Sequence, residues 1–278
     1  MSDVDEALAR VDAFEANGIQ NVAWKLDRSQ TLQRIRTLVR NPELLDQRGL
    51  NACGPAVFFR VWFARDPIAA AEFGCALLSD GSAAIGSLII APSWKLLGQD
   101  YSTLRSVTDG AHPNATPEAA DWMLLSALRD SENVWFDYLG EPFTVGDAVA
   151  GLTLPSTVAG WLSATNRYST IENDTNVVFS GNRQKLFNLI PTSNVDIILF
   201  VNATAIYDLT SSPPVAQPPA SGGLSVPNHY VLMTAPFSQW HDPAWTIIEC
   251  WSWGKTFRGW QGTERFFNNY FGVVIPRT

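Results

Sequence analysis

No basic run occurs anywhere in this chain. Its 19 Lys and Arg stand against 27 Asp and Glu, a net charge of −8, and nucleic-acid binding draws most of its affinity from clustered Lys and Arg. No nucleic-acid partner is expected. Apolar runs are short: VDIILFV at 195–201 and SLIIAP at 87–92 fall far below the roughly 20 residues a bilayer span needs, so no membrane span is expected. The opening MSDVDEALARVDAFEANG is an acidic amphipathic stretch without the positive start and apolar middle of a Sec signal, which predicts a chain that is cytoplasmic in the producing cell. Cysteine is scarce and odd in number, with Cys53, Cys75 and Cys250 only. That excludes a disulfide framework and fits a reducing compartment. CxxC pairs, HExxH, GxGxxG and GxxxxGK[ST] are all missing, so neither a metal nor a nucleotide cofactor is expected.

A chain of 278 residues with 46% hydrophobic and 17% charged side chains can bury one substantial core. Leu8, Val11 and Phe14 are spaced three apart, as are Leu32, Ile35 and Leu38, which predicts two helices broken at Asn17-Gly18 and Asn41-Pro42. A third helix is expected from Cys53 through Phe63, with Pro55 in its first turn and Asp66-Pro67 ending it. IAAAEFGCALLSDG, residues 117–131 behind a capping-box start, residues 155–166 and GNRQKLFNLIP complete the helical set. Short strands are expected at 175–179 (TNVVF) and in DIILFVNA. After the proline-rich 208–228 they recur at 229–235, 245–253 and 270–276. Helices come first and sheet last, an α+β layout. Residues 1–45 read as a helical extension and 46–278 as one compact domain.

Chemistry concentrates at two places. Gln47 stands six residues before Cys53, which opens an apolar helix. A helix start offers unpaired N–H groups and partial positive charge, which favour thiolate, the reactive form of cysteine. Glutamine can donate an N–H to the oxyanion formed when a carbonyl is attacked, beside the cysteine's own backbone N–H. The proton shuttle must be one of three histidines: His112, His229 or His241. His229 stands where a long loop enters an apolar strand, so a sheet can hold its ring while the loop side leaves it accessible. His112 and His241 read as loop residues. The ring needs an orienting side chain, and the next strand offers Glu249, with Ser252, Asp242 and Asn228 as alternatives. Cys75 and Cys250 read as packing residues.

With Cys53-Gly54-Pro55-Ala56 behind Gln47, His-Tyr-Val-Leu-Met at 229–233, and Ile247 to Glu249 leading into Trp253-Gly254, the chain resembles the papain-like cysteine peptidase superfamily and, within it, the peptidase C39-like branch. The resemblance covers about residues 45–65 and 185–275. It implies a papain-like fold in which the nucleophile's helix packs on a C-terminal antiparallel sheet. It also implies amide hydrolysis through a thiolate–imidazolium pair and a thioester, and a protein or peptide substrate. The sequence departs from the family in offering Glu249 where Asn or Asp is usual. Deamidation of glutamine or acyl transfer would use the same thioester, and a binding protein on the same scaffold would not use it at all. A papain-like core without a Sec signal is also similar to bacterial effector toxins, which implies export by a dedicated secretion machine and an immunity or inhibitor protein as partner.

Overall fold

The computed structural model describes residues 2–17, 22–106, 115–132, 138–141, 153–212, 225–239 and 244–278. His112, His241, Asp242 and prolines 213, 214, 218 and 219 lie outside these residues. The chain forms two compact units, residues 1–153 with 164–167, and residues 154–163 with 168–278.

The first unit is mainly helical. Helix α1 (Asp3–Ala16) starts from a capping box between Ser2 and Asp5, and α2 (Arg28–Arg40) from an Asp27 cap. After a 3-10 turn at Pro42–Leu44 come α3 (Cys53–Arg65) and α4 (Pro67–Asp80), the latter ending on Gly81 at φ +73, a left-handed position that suits glycine. A small hairpin, β1 (Ala83–Ile85) and β2 (Leu88–Ile90), precedes the short helices α5 (Trp94–Leu97) and α6 (Tyr101–Ser106). Helix α7 (Ala119–Ser131) is buried along nearly its whole length. Its start departs from the capping-box expectation: Glu118 caps it without a side-chain bond, and Thr116 donates instead to the Leu104 carbonyl.

Residues 1–45 are not a separate extension. Ala7, Val11, Leu32, Ile35 and Leu38 are fully buried, and α1 packs along α4 while α2 packs on α4 and α7. Helix α3 is apolar around most of its surface apart from Arg60 and Arg65, with Phe58, Phe59, Trp62 and the α4 residue Phe73 in ring contact, so most of it sits in an interior.

The second unit holds helix α8 (Pro155–Ala164), whose last residue groups with the first unit, then β3 (Thr170–Thr175), α9 (Arg183–Asn188), β4 (Ile198–Val201), α10 (Thr204–Tyr207), β5 (His229–Met233), β6 (Ser238–Gln239), β7 (Trp245–Ser252), β8 (Lys255–Gly262), α11 (Thr263–Asn268) and β9 (Tyr270–Arg277). Seven of these strands make one antiparallel sheet in the order β3-β9-β4-β5-β7, with β6 and β8 also pairing β7. An α+β protein with an antiparallel sheet is what the sequence order implied. Strands β5 and β6 share one edge of β7, interrupted around Pro236, which has no N–H to give the ladder.

On one face of the sheet Leu199, Val201, Val231, Met233, Ile248 and Cys250 pack with Phe266, Phe267 and Tyr270. The expected strand at 175–179 lies earlier, at β3. Asn176 Oδ1 accepts from the N–H groups of Val178 and Phe179 at 2.7 and 2.9 Å, an Asx turn that ends the strand and leaves these apolar residues exposed.

Candidate functional site

Cys53 is the first residue of α3, partly exposed and in no disulfide. No side chain caps this helix, and its first intrahelical bond runs from Ala56 N–H to the Ala52 carbonyl. Pro55 has no N–H, so Cys53 and Gly54 carry the backbone donors of the first turn. Gly54 is there for space: a Cβ would lie 2.8 Å from the side chain of buried Thr153.

Gln47 is held in the same unit by a fixed turn. Asp46 N–H donates to the buried Asp121 carboxylate at 3.0 Å, Gly49 N–H to the Ala115 carbonyl at 2.9 Å, and Leu50 N–H to the Gln47 carbonyl at 2.9 Å. Arg48 takes a left-handed φ of +46 between them. Arg34 Nε meets Asp121 at 2.6 Å, and Arg34 Nη2 reaches the Leu44 carbonyl. One ion pair thus clamps α2, α7 and the segment ahead of Gln47. The Gln47 side chain is buried, and its Oε1 has no hydrogen-bond partner among the described residues.

The three cysteines separate clearly. Burial pushes the thiols of Cys75 and Cys250 up to about 12, where thiolate is negligible near neutrality. Cys53 is the one with solvent access.

In the second unit, His229 opens β5 and is 4% exposed. Its Nε2 lies 2.7 Å from Ser252 Oγ, so Nε2 is the ring nitrogen that a side chain engages. The indole of Trp253 lies flat on the imidazole, centroids 4.1 Å apart and planes 11° apart, and Tyr207 stacks on the far side of that indole at 5.0 Å. Trp253 and Gly254 form the tight turn of the β7–β8 hairpin, at φ +45 and +69 between paired Ser252 and Lys255. Such turns ordinarily take Asn-Gly, so the tryptophan is strained where it covers the histidine. Burial alone lowers the His229 pKa, to about 3.

Glu249 does not join this group. Met233 pairs with Cys250 and Leu232 with Trp251, so His229, Cys250 and Ser252 share one face of the sheet and Glu249, an odd number of residues from Ser252, points to the other. Its carboxylate meets Thr234 Oγ1 at 3.3 Å and Arg258 at 3.6 Å. Asn228 is also committed elsewhere, its Oδ1 accepting from Ala203 N–H at 2.9 Å. The sequence signal for Ser252 was the period-two count along β7, and the ring stack was foreshadowed only by Trp253-Gly254 as a turn dipeptide.

Among the described residues no group of three His, Cys, Asp or Glu side chains could hold a metal ion, and no helix is long and apolar enough to cross a membrane. Compared with protein-family models, curated proteins and solved structures, the chain matches none.

Proposed function

We propose that this chain is a papain-like cysteine hydrolase, similar to the C39-like branch, that cleaves an amide bond in a protein or peptide. The observation that carries the reading is the contrast among the cysteines: two thiols are buried and inert, while Cys53 is accessible at a helix start behind Gln47. In this reading the Cys53 thiolate attacks the carbonyl carbon, and the backbone N–H of Cys53 with the Gln47 amide stabilises the oxyanion. His229 Nδ1–H then protonates the leaving amine, and the acyl group stays on sulfur as a thioester. Water attacks the thioester, His229 takes its proton, and the acid departs. Ser252 is the positioning residue that holds Nε2, in the role first assigned to Glu249. A deamidase or acyltransferase would share every step up to the thioester.

An isolated His229 resists protonation, because burial disfavours the imidazolium. The proposed mechanism therefore requires a thiolate to supply the missing negative charge. The test is the pH dependence of iodoacetamide labelling, residue by residue, on wild type and His229→Ala. Rapid labelling of Cys53 near pH ~6, well below the ~8.5 of a free thiol, and its loss in the variant are expected. Slow labelling that the variant leaves unchanged overturns the reading.

That same burial, with no carboxylate against the ring among the described residues, favours a second reading, a binding protein on a papain-like scaffold, and it predicts the slow outcome. The delivered-toxin reading with an immunity partner predicts that expression arrests bacterial growth and that Cys53→Ala relieves the arrest.

A further inference from the structure

The turn that carries Gln47 is pinned along its whole length. Asp46 N–H donates to Asp121 Oδ1 at 3.0 Å, Asp46 Oδ1 accepts from Arg48 N–H at 2.9 Å, and Leu50 and Gly49 N–H groups donate to the Gln47 and Ala115 carbonyls. Arg48 stands between these anchors at φ +46, a left-handed conformation that a residue with a Cβ keeps only where its surroundings impose it.

The anchor ahead of Gln47 is a buried charge. Asp121 is fully buried, and both of its oxygens are used: Oδ2 accepts from Arg34 Nε at 2.6 Å, and Oδ1 accepts from Arg34 Nη2 at 3.1 Å as well as from Asp46 N–H. A forked contact of this kind fixes direction as well as distance. Arg34 Nη2 also donates to the Leu44 carbonyl at 2.6 Å. A pair carried by two helices, Arg34 on α2 and Asp121 on α7, therefore places residues 44–46, and Gln47 follows by one peptide bond. Gln47 itself is 5% exposed, and its Oε1 has no hydrogen-bond partner among the described residues. An unmet buried acceptor costs stability, so this side chain is held in place at the expense of the fold.

We infer that Asp121 is a positioning residue for the oxyanion site, fixing through Asp46 N–H and Arg34 the turn from which the Gln47 amide is presented. Asp121 has this role only if Cys53 and Gln47 act as the hydrolase reading assigns them. Only a carboxylate can receive the guanidinium fork on both oxygens and a backbone N–H besides. Asparagine would turn an N–H group toward one of the Arg34 donors.

Two probes of Cys53 separate oxyanion formation from thiol reactivity. Iodoacetamide alkylates sulfur by displacing iodide from a saturated carbon, and no oxyanion forms. p-Nitrophenyl acetate acetylates it: sulfur bonds to the carbonyl carbon, negative charge passes to the carbonyl oxygen, and the ester C–O bond breaks to release p-nitrophenolate. Both rates are measured on the full chain as wild type, Asp121→Asn, Gln47→Ala and the double variant, after subtracting p-nitrophenolate release by Cys53→Ala. Gln47→Ala is expected to slow acetylation about a hundredfold and Asp121→Asn about tenfold, with alkylation unchanged within about twofold. In the double variant the Asp121 substitution adds nothing, because the group it positions is gone. A cooperative urea transition shows each variant folded. Should Asp121→Asn not fold, Arg34→Lys, which keeps the charge and loses the fork, replaces it.

An acetylation rate unmoved in Asp121→Asn or in Gln47→Ala overturns the inference. Acetylation and alkylation falling together in Asp121→Asn, or an Asp121 effect that persists in the Gln47→Ala background, does the same. Each of these outcomes leaves Cys53 as a reactive thiol. A wild-type Cys53 that iodoacetamide labels no faster than a free thiol brings down the hydrolase reading and the role of Asp121 with it.

Discussion

The two units hold their chemistry-bearing side chains by opposite means. Cys53 is held by backbone: a helix start, a glycine pressed against Thr153, and a turn before it tied down by Asp121. His229 is held by side chains: a serine on one ring nitrogen and an indole against the ring face. A backbone-held group is exact in place but insensitive to its neighbours' chemistry. A side-chain-held group can be retuned by one substitution, and its protonation depends on what surrounds it.

The most severe way to break the backbone-held end is Asp121→Ala, which strands Arg34 and releases the Asp46 N–H. Leaving half of a buried ion pair is expected to cost about 3–5 kcal/mol, read by urea unfolding, with faster proteolysis near residue 46. Gly54→Ala is milder. Its methyl would meet Thr153 at 2.8 Å, an overpacking penalty of about 1–3 kcal/mol, seen as a lower Tm while far-UV dichroism is preserved.

The side-chain-held end is probed by pH. His229 stays neutral in the fold down to about 3, whereas in the unfolded chain it charges below about 6.5. Protons therefore bind the unfolded state preferentially between these values, and stability present above pH ~6.5 is lost on acidification by up to about 1.4 kcal/mol per unit. His229→Gln should flatten that slope in unfolding experiments run across the interval. A slope unaltered by His229→Gln would show that the ring is not buried neutral.

The smallest effects make the sharpest contrast. Ser252→Ala removes the hydrogen-bond partner of Nε2 and should cost about 1 kcal/mol of stability while shifting the pH profile of Cys53 labelling. Glu249→Gln, on a half-exposed pair with Arg258, should cost less than about 0.5 kcal/mol and leave that profile alone. The reverse ranking would restore Glu249 as the orienting group.

Local features were legible in the chain itself. The apolar periods of α1 and α2, the start of α3 at Cys53 and the cores of β5, β7 and β9 each follow from a few adjacent residues. What escaped depends on pairing at a distance. Strand β3, TIENDT, reads as polar coil and is a strand because β9 pairs along its whole length. Strand β8 carries Gly259 where the bridge between Thr210 and Trp260 brings another backbone within 2.8 Å of a would-be Cβ. The choice between Glu249 and Ser252 turned on one residue of register, which reverses every side chain on a strand. The domain boundary shifted from residue 45 because the apolar faces of α1 and α2 find their partners in α4 and α7, far along the chain.

The strained turn at Trp253 has a consequence for anyone evolving this protein. Tryptophan at φ +45 occupies a position that Asn or Gly fills without strain, so Trp253→Asn is a change that hairpin geometry favours. A library sorted for heat resistance alone would tend to collect it, and each such winner would have lost the indole lying on His229. Thermostable descendants chosen blind would drift toward a well-folded sheet with a loosely held histidine.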